Sequence, residues 1–317
     1  MKDTYNRSIT YLRISVTDLC NQRCLYCMPE AGVSKRPMAE MLTEDEMIRA
    51  VRVAASLGVT KLRITGGEPL IKPNILSICE RAAAVHGIKE CCITTNGVHL
   101  SSLARPLREA GVNRVNISLD TLKEEKFSTI TRRHYYNDVC AGIEAALQAG
   151  FDKIKLNCVL IGGFNDDEIS DFVALTKHHP LDVRFIELMP MYDSGDFDET
   201  AYVPVSLVTE RLPELVPLES NGGVARRYKL PDALGEVGLI SPLSNHFCGT
   251  CNRIRLTADG KLKPCLHSPI EIPIKGLDDV AMERAFREAI TQKPAQHPLL
   301  SNTCRSEAGR NMNQIGG

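Results

Sequence analysis

The chain has 317 residues, 43% of them apolar and 24% charged, with a net charge of −1. That length can carry one large domain or a large and a small one, and the charge balance argues against bulk attraction to nucleic acid or membrane. Met1 to Thr10 lacks an apolar core of signal-peptide length, and no stretch nears the roughly 20 apolar residues of a span. A cytoplasmic protein with no nucleic-acid and no membrane partner is the expectation.

Six β-type runs precede residue 191: Leu12–Thr17, Lys61–Thr65, Glu90–Thr95, Arg114–Leu119, Ile154–Ile161 and Val183–Leu188. Helical patterns lie between them. Thr43–Gly58 opens with a capping box, Thr43 and Glu46, and closes on a glycine suited to a left-handed cap. Later patterns end at Gly87, Gly111 and Gly150, and another runs from about Asp166 to His178. Strands alternating with helices predict an α/β fold with a parallel sheet. Periodicity fits an open barrel or a doubly wound sheet equally. Met191–Pro204 reads as a loop, Val205–Glu214 as a further helix and Glu219–Arg227 as a turn or linker. The β/α rhythm stops there. The expected division is therefore 1–224 and a small C-terminal domain over 225–317.

Twelve cysteines are many for a cytosolic chain, where thiols stay reduced and serve as core, nucleophile or metal ligand. Cys91 and Cys158 lie in strand-like runs, Cys79 and Cys140 in helical patterns, and all four read as small core residues. Cys92 and Cys304 have no assigned role. The other six form two triplets. Cys20-x3-Cys24-x2-Cys27 directly follows the first strand. Three thiolates on a tight loop fall one short of a structural zinc site or a simple electron-transfer cluster. A cubane held by three cysteines leaves one iron open. Cys248-x2-Cys251-x13-Cys265 spans a predicted hairpin at Asp259-Gly260. By spacing alone it could also be a zinc site, with His246 or His267 as fourth ligand.

The first triplet, with Tyr26 before its last cysteine, resembles the signature of the radical S-adenosylmethionine (SAM) superfamily. The resemblance implies a partial (β/α)6 TIM-like barrel carrying a [4Fe–4S] cluster whose open iron chelates SAM. It implies SAM contacts at Tyr26, at Gly67 and Glu68 of Thr65-Gly-Gly-Glu-Pro69, at Ser118 and at Met189. Barrel sites sit where strands end, and these motifs occupy such positions.

Cys251-Asn-Arg-x-Arg-Leu resembles the auxiliary-cluster domain of the GTP 3′,8-cyclase family of molybdenum cofactor biosynthesis. That likeness implies a second [4Fe–4S] cluster facing guanine, in a small C-terminal cluster-binding domain. Basic residues recur within apolar strands, where burial is costly unless an anion compensates. The family correspondence makes Arg13, Arg63, Thr94, Lys155, Arg253, Ile254 and Arg255 GTP contacts, with Lys61 and Arg184 as further candidates. It also implies that the Gly316-Gly317 tail enters the active site. No side chain is assigned as a catalytic acid or base. The implied reaction converts GTP to (8S)-3′,8-cyclo-7,8-dihydroguanosine 5′-triphosphate with a SAM-derived 5′-deoxyadenosyl radical. Implied partners are an electron donor protein and cyclic pyranopterin monophosphate synthase as the next enzyme. Oligomeric state is open, a homodimer included. The alternative is a radical SAM enzyme with an auxiliary cluster acting on a peptide or cofactor precursor.

Overall fold

The computed structural model describes residues 1–191, 197–298, 300 and 304–316. Six β/α units come first. Strands β1 (Tyr11–Ser15), β2 (Lys61–Thr65), β3 (Glu90–Thr95), β4 (Arg114–Ser118), β5 (Lys153–Leu160) and β6 (Leu181–Glu187) pair in parallel in chain order. Between them run helices α1 (Glu44–Ser56), α2 (Ile75–Ala83), α3 (Leu100–Glu109), α4 (Glu124–Thr131), α5 (Tyr136–Gln148) and α6 (Ile169–His178).

Local chemistry sets the helix ends. The α1 capping box forms as expected, Glu46 N–H donating to the Thr43 hydroxyl at 3.2 Å and Thr43 N–H to the Glu46 carboxylate at 2.8 Å. Gly58 follows α1 with φ +98°, a conformation that costs other L-residues, and Gly111 and Gly150 repeat the device after α3 and α5. Helix α2 stops at Ala83, short of Gly87. The expected Val205–Glu214 helix shrinks to α7 (Leu207–Arg211), since Pro213 has no N–H to continue it.

The segment past residue 225 does not build a separate sheet. Short strands β7 (Val216–Pro217) and β8 (Arg226–Lys229) pair with each other across that boundary. Strand β9 (Val237–Ile240) then joins β6 in parallel, and β10 (Arg253–Leu256) joins β1 in parallel. Strands β11 (Lys261–Lys263) and β12 (Ile272–Pro273) add antiparallel to β10. One sheet of twelve strands results, ordered β12-β11-β10-β1-β2-β3-β4-β5-β6-β9-β8-β7. Eight of its strands, β10 through β6 and β9, run parallel, so the C-terminal segment extends the six-unit barrel at both edges. Helix α8 (Asp279–Thr291) and the short α9 (Met312–Ile315) complete the chain. No helix among the described residues is long and apolar enough to cross a membrane.

Register decides what the barrel holds. Paired residues share a face, and side chains alternate along a strand. Leu12, Ile14, Leu62, Ile64, Ile93, Val115, Ile117, Leu156 and Ile254 face outward into one apolar core with the helices. The alternate positions point inward and are polar. Cys79, Cys91 and Cys158 are buried apolar residues as expected, whereas Cys140 is half-buried.

Candidate active site

A cavity of about 370 Å³ runs through the barrel and is lined by both cysteine triplets. Topology puts them at opposite mouths. Cys20, Cys24 and Cys27 follow the C-terminal end of β1. Cys248 and Cys251 lead into the N-terminal end of β10, and antiparallel β11 carries Cys265 back to that same end.

At the upper mouth burial favours neutral thiols, pushing Cys20 up to about 11 and Cys27 to about 12, and Cys24 rises further for the same reason. Such thiols ionise only when a cation displaces their protons. Among the described residues, one group of His, Cys and carboxylate donors converges on a single point, and it is neither triplet.

Tyr26, Gly67, Glu68, Ser118 and Met189 all line the upper half. Their surroundings assign further work to some of them. A Cβ on Gly67 would lie 2.3 Å from the Leu19 carbonyl oxygen, so this glycine lets the second-strand turn pack on the cysteine loop. Buried Glu68 accepts from Leu70 N–H at 2.9 Å, Thr95 hydroxyl at 2.7 Å and Asn96 N–H at 2.7 Å. Burial lifts its carboxyl to about 7 against those bonds. The Tyr26 hydroxyl donates to Asp120 at 2.6 Å, and Asp120 also accepts from Val159 N–H at 2.8 Å. Sequence reading missed Asp120, two residues past Ser118, because its role depends on Tyr26, which only the fold brings near.

Below lies the cationic layer. Register aligns Arg255, Arg13, Arg63, Cys92 and Arg114 in one row, and Arg253, Tyr11, Lys61 and Glu90 in the row beneath. Lys61 and Arg114 pair with Glu90 at 2.7 and 2.6 Å. Arg63 donates to the Tyr11 hydroxyl and, at 3.2 Å, to Thr94. The Nε atoms of Arg13 and Arg253 are buried without a hydrogen-bond partner. Burial, then Arg255 and Arg63, drive Arg13 well below its ordinary pKa. Arg184, also lining the cavity, falls to about 10 through burial, then Arg63 and Arg114. Clustered cations with unused donors call for a multiply charged anion. Cys92, which had no assigned role, lies in this floor. Burial opposes its ionisation, but Arg63, Arg114 and Lys61 outweigh it and lower its pKa.

Two expected contacts stand apart. Ile254 pairs with Leu12 and is buried in the outer apolar layer, so its side chain faces away from the cavity. Lys155 is bonded to Asp182 at 2.7 Å and lines a small adjoining pocket with Arg184. Burial, then Arg184, bring it down to about 7 despite that carboxylate.

At the lower mouth burial raises Cys248, while Lys293 and Arg253 outweigh burial and lower Cys251. Lys293 donates to the carbonyls of Arg253 and Pro264, both at 2.9 Å, so it braces β10 and the chain before Cys265. Arg7 of the N-terminal segment braces the Cys248 carbonyl at 2.8 Å.

The tail enters from above. Asn313 Nδ2 donates to the Asp18 carbonyl at 2.8 Å, beside the upper cysteine loop. Arg255 donates to the Gly316 carbonyl. Gly317 lies outside the described residues. Six residues earlier than Gly316, Arg310 grips Asp259 at 3.0 and 2.9 Å and Glu271 at 2.5 and 2.7 Å. Arg310→Gln is expected to loosen the tail, seen as faster amide exchange over residues 310–316 with iron content unchanged.

The Radical SAM superfamily model matches residues 14–176, and the Molybdenum Cofactor Synthesis C model matches 181–299. The GTP 3′,8-cyclase of Alkaliphilus oremlandii (strain OhILAs) is 47% identical over 323 residues, covering 100% of both chains. That of Moorella thermoacetica is 46% identical over 327 residues, again covering 100% of both. Among solved structures, Streptococcus suis SuiB bound to S-adenosylmethionine has a TM-score of 0.62 at 15% identity, over 92% of this chain and 66% of that one. Native anSMEcpe with bound AdoMet has a TM-score of 0.61 at 15% identity, over 92% of this chain and 82% of that one. The solved structures share the fold, and the GTP 3′,8-cyclases match over the full length of both chains, so the chain belongs to the GTP 3′,8-cyclase family of the radical SAM superfamily.

Proposed function

We propose that the chain converts GTP to (8S)-3′,8-cyclo-7,8-dihydroguanosine 5′-triphosphate in molybdenum cofactor biosynthesis. One observation carries the reading: a row of buried, partly unpartnered arginines lies between two cysteine triplets at opposite mouths of one cavity. Cys20, Cys24 and Cys27 would hold the SAM-binding [4Fe–4S] cluster, and Cys248, Cys251 and Cys265 a second one. Bound at the upper mouth, the reduced cluster and SAM would supply a 5′-deoxyadenosyl radical for hydrogen abstraction at the GTP ribose C3′, and closure of C3′ on guanine C8 would be completed by one further electron and a proton.

The protein contributes placement. Tyr26, Gly67, Glu68, Ser118 and Met189 surround the SAM position, with Asp120 fixing the Tyr26 ring. Arg13, Arg63, Arg253 and Arg255 anchor GTP, with Thr94 bonded to Arg63, and Lys61 and Arg184 extend the positive floor. Lys155 reaches GTP only by leaving Asp182, and Ile254 contributes through its backbone alone. An electron donor protein reduces the upper cluster, and cyclic pyranopterin monophosphate synthase takes the product. A peptide substrate would leave the arginine row unmatched.

Arg13→Ala and Arg255→Ala are each expected to weaken GTP binding about ten- to hundredfold. That corresponds to ~1.5–3 kcal/mol for a lost charged hydrogen bond. Titration calorimetry on protein of normal iron content checks this, and unchanged affinity in both variants would count against the anion site.

A further inference from the structure

Beside the lower triplet, and sharing Cys248 with it, stands a donor group whose two histidines cyclisation does not use. A ring nitrogen of His246, the Cys248 sulfur and a ring nitrogen of His297 all lie within 4.8 Å of one another. His246 Nδ1 and His297 Nε2 are 3.0 Å apart. A tetrahedral zinc ion, with bonds of ~2.0–2.1 Å to nitrogen and ~2.3 Å to sulfur, sets its ligand atoms about 3.3–3.7 Å apart. The nitrogens would therefore open slightly, and the sulfur would close by at most about 1 Å, to reach metal-binding geometry.

One imidazole is also correctly presented. With its proton on Nδ1, His297 donates to the nearer carbonyl, Pro298 at 2.7 Å, and presents the Nε2 lone pair toward His246. A ligand histidine tied through its other nitrogen to a backbone carbonyl is the usual outer-shell arrangement. The Pro242 carbonyl, 3.1 Å from Nε2, is a polar neighbour that a metal would have to displace. Two imidazoles and a thiolate suit zinc and cobalt, and leave a fourth position open.

We propose that the cluster-free protein binds a divalent transition-metal ion, Zn²⁺ in type, at His246, Cys248 and His297. Because the ion takes the Cys248 thiolate, it excludes the lower iron–sulfur cluster. The exclusion rests on Cys248 being a ligand of that cluster. The donor group itself does not.

Cobalt(II) alone is the probe for the site. The full chain, stripped of iron and carrying Cys24→Ala and Cys27→Ala to silence the upper triplet, is titrated anaerobically. The expected spectrum shows the intense ligand-field bands of tetrahedral cobalt and a thiolate charge-transfer band. His246→Ala, at a half-buried position, should weaken binding at least about tenfold, a loss on the scale of disturbing a metal site. Cys248→Ser should remove the charge-transfer band. A pale six-coordinate spectrum, or equal affinity in His246→Ala, overturns the site.

Exclusion is read on the wild-type chain. Preincubation with one equivalent of Zn²⁺ should lower reconstituted iron from about eight to about four per chain, and His246→Ala should restore it. Full iron after zinc overturns the exclusion. Iron that stays near four without zinc overturns the two-cluster reading and the exclusion with it, while the cobalt titration still decides the site.

Discussion

Cys24→Ala is expected to abolish SAM cleavage, whereas Cys251→Ala should abolish cyclisation and spare part of the cleavage. The two cysteines belong to triplets at opposite mouths of one cavity, with the arginine rows between them. Removing Cys24 takes away one of three thiolates on a loop that offers no spare cysteine, so the upper cluster is lost. Iron should fall from about eight to about four per chain, the content of one remaining cubane. Neither methionine nor 5′-deoxyadenosine should form. Removing Cys251 leaves the upper mouth untouched, and the same fall in iron is expected. GTP then loses its lower anchor, and a misplacement of about 1 Å can cost around a hundredfold in rate. Chromatography of both products under strong reductant separates the cases. Normal cyclic nucleotide from Cys251→Ala would refute a substrate role for the lower triplet.

Gly316→Ala should cut cyclisation at least about a hundredfold while iron and GTP binding stay near normal. Gly316 has φ +80°, and a Cβ there would sit 2.3 Å from Thr65 Oγ1. The left-handed backbone costs an alanine ~1–2 kcal/mol, and the overlap adds to that. The tail must then leave Thr65, and its carbonyl leaves Arg255. SAM cleavage should continue without nucleotide product. Thr65→Ala removes the obstructing hydroxyl, so the double variant should recover at least about tenfold over Gly316→Ala alone. Full activity in Gly316→Ala would reduce the tail to a passive end.

Much of this was legible in the chain itself. Strands β2 and β3 fall on the expected residues, and β1, β4, β5 and β6 differ by at most two residues at either end, because apolar alternation and glycine caps are local signals. The hairpin at Asp259-Gly260 returns Cys265 to the mouth that holds Cys248 and Cys251. The strand partners of the segment past residue 225 were not legible. Loss of the β/α rhythm reads as a new domain, but β9 and β10 find their partners in β6 and β1, pairings that no local signal announces. Tyr11 and Arg114 were within reach, since they lie two residues from Arg13 and in register with Cys92. Asp120 and Asn313 were not, because their roles depend on Tyr26 and Asp18, brought near only by the fold. Ile254 differs in kind, because alternation turns its side chain outward and leaves only its backbone toward the cavity.

Anaerobic turnover with GTP deuterated at ribose C3′, SAM and a strong reductant tests the central claim most directly. The label should appear in 5′-deoxyadenosine, and the nucleotide should become a cyclised isomer of GTP lacking that deuterium. SAM cleavage with the label retained in unchanged GTP would contradict it.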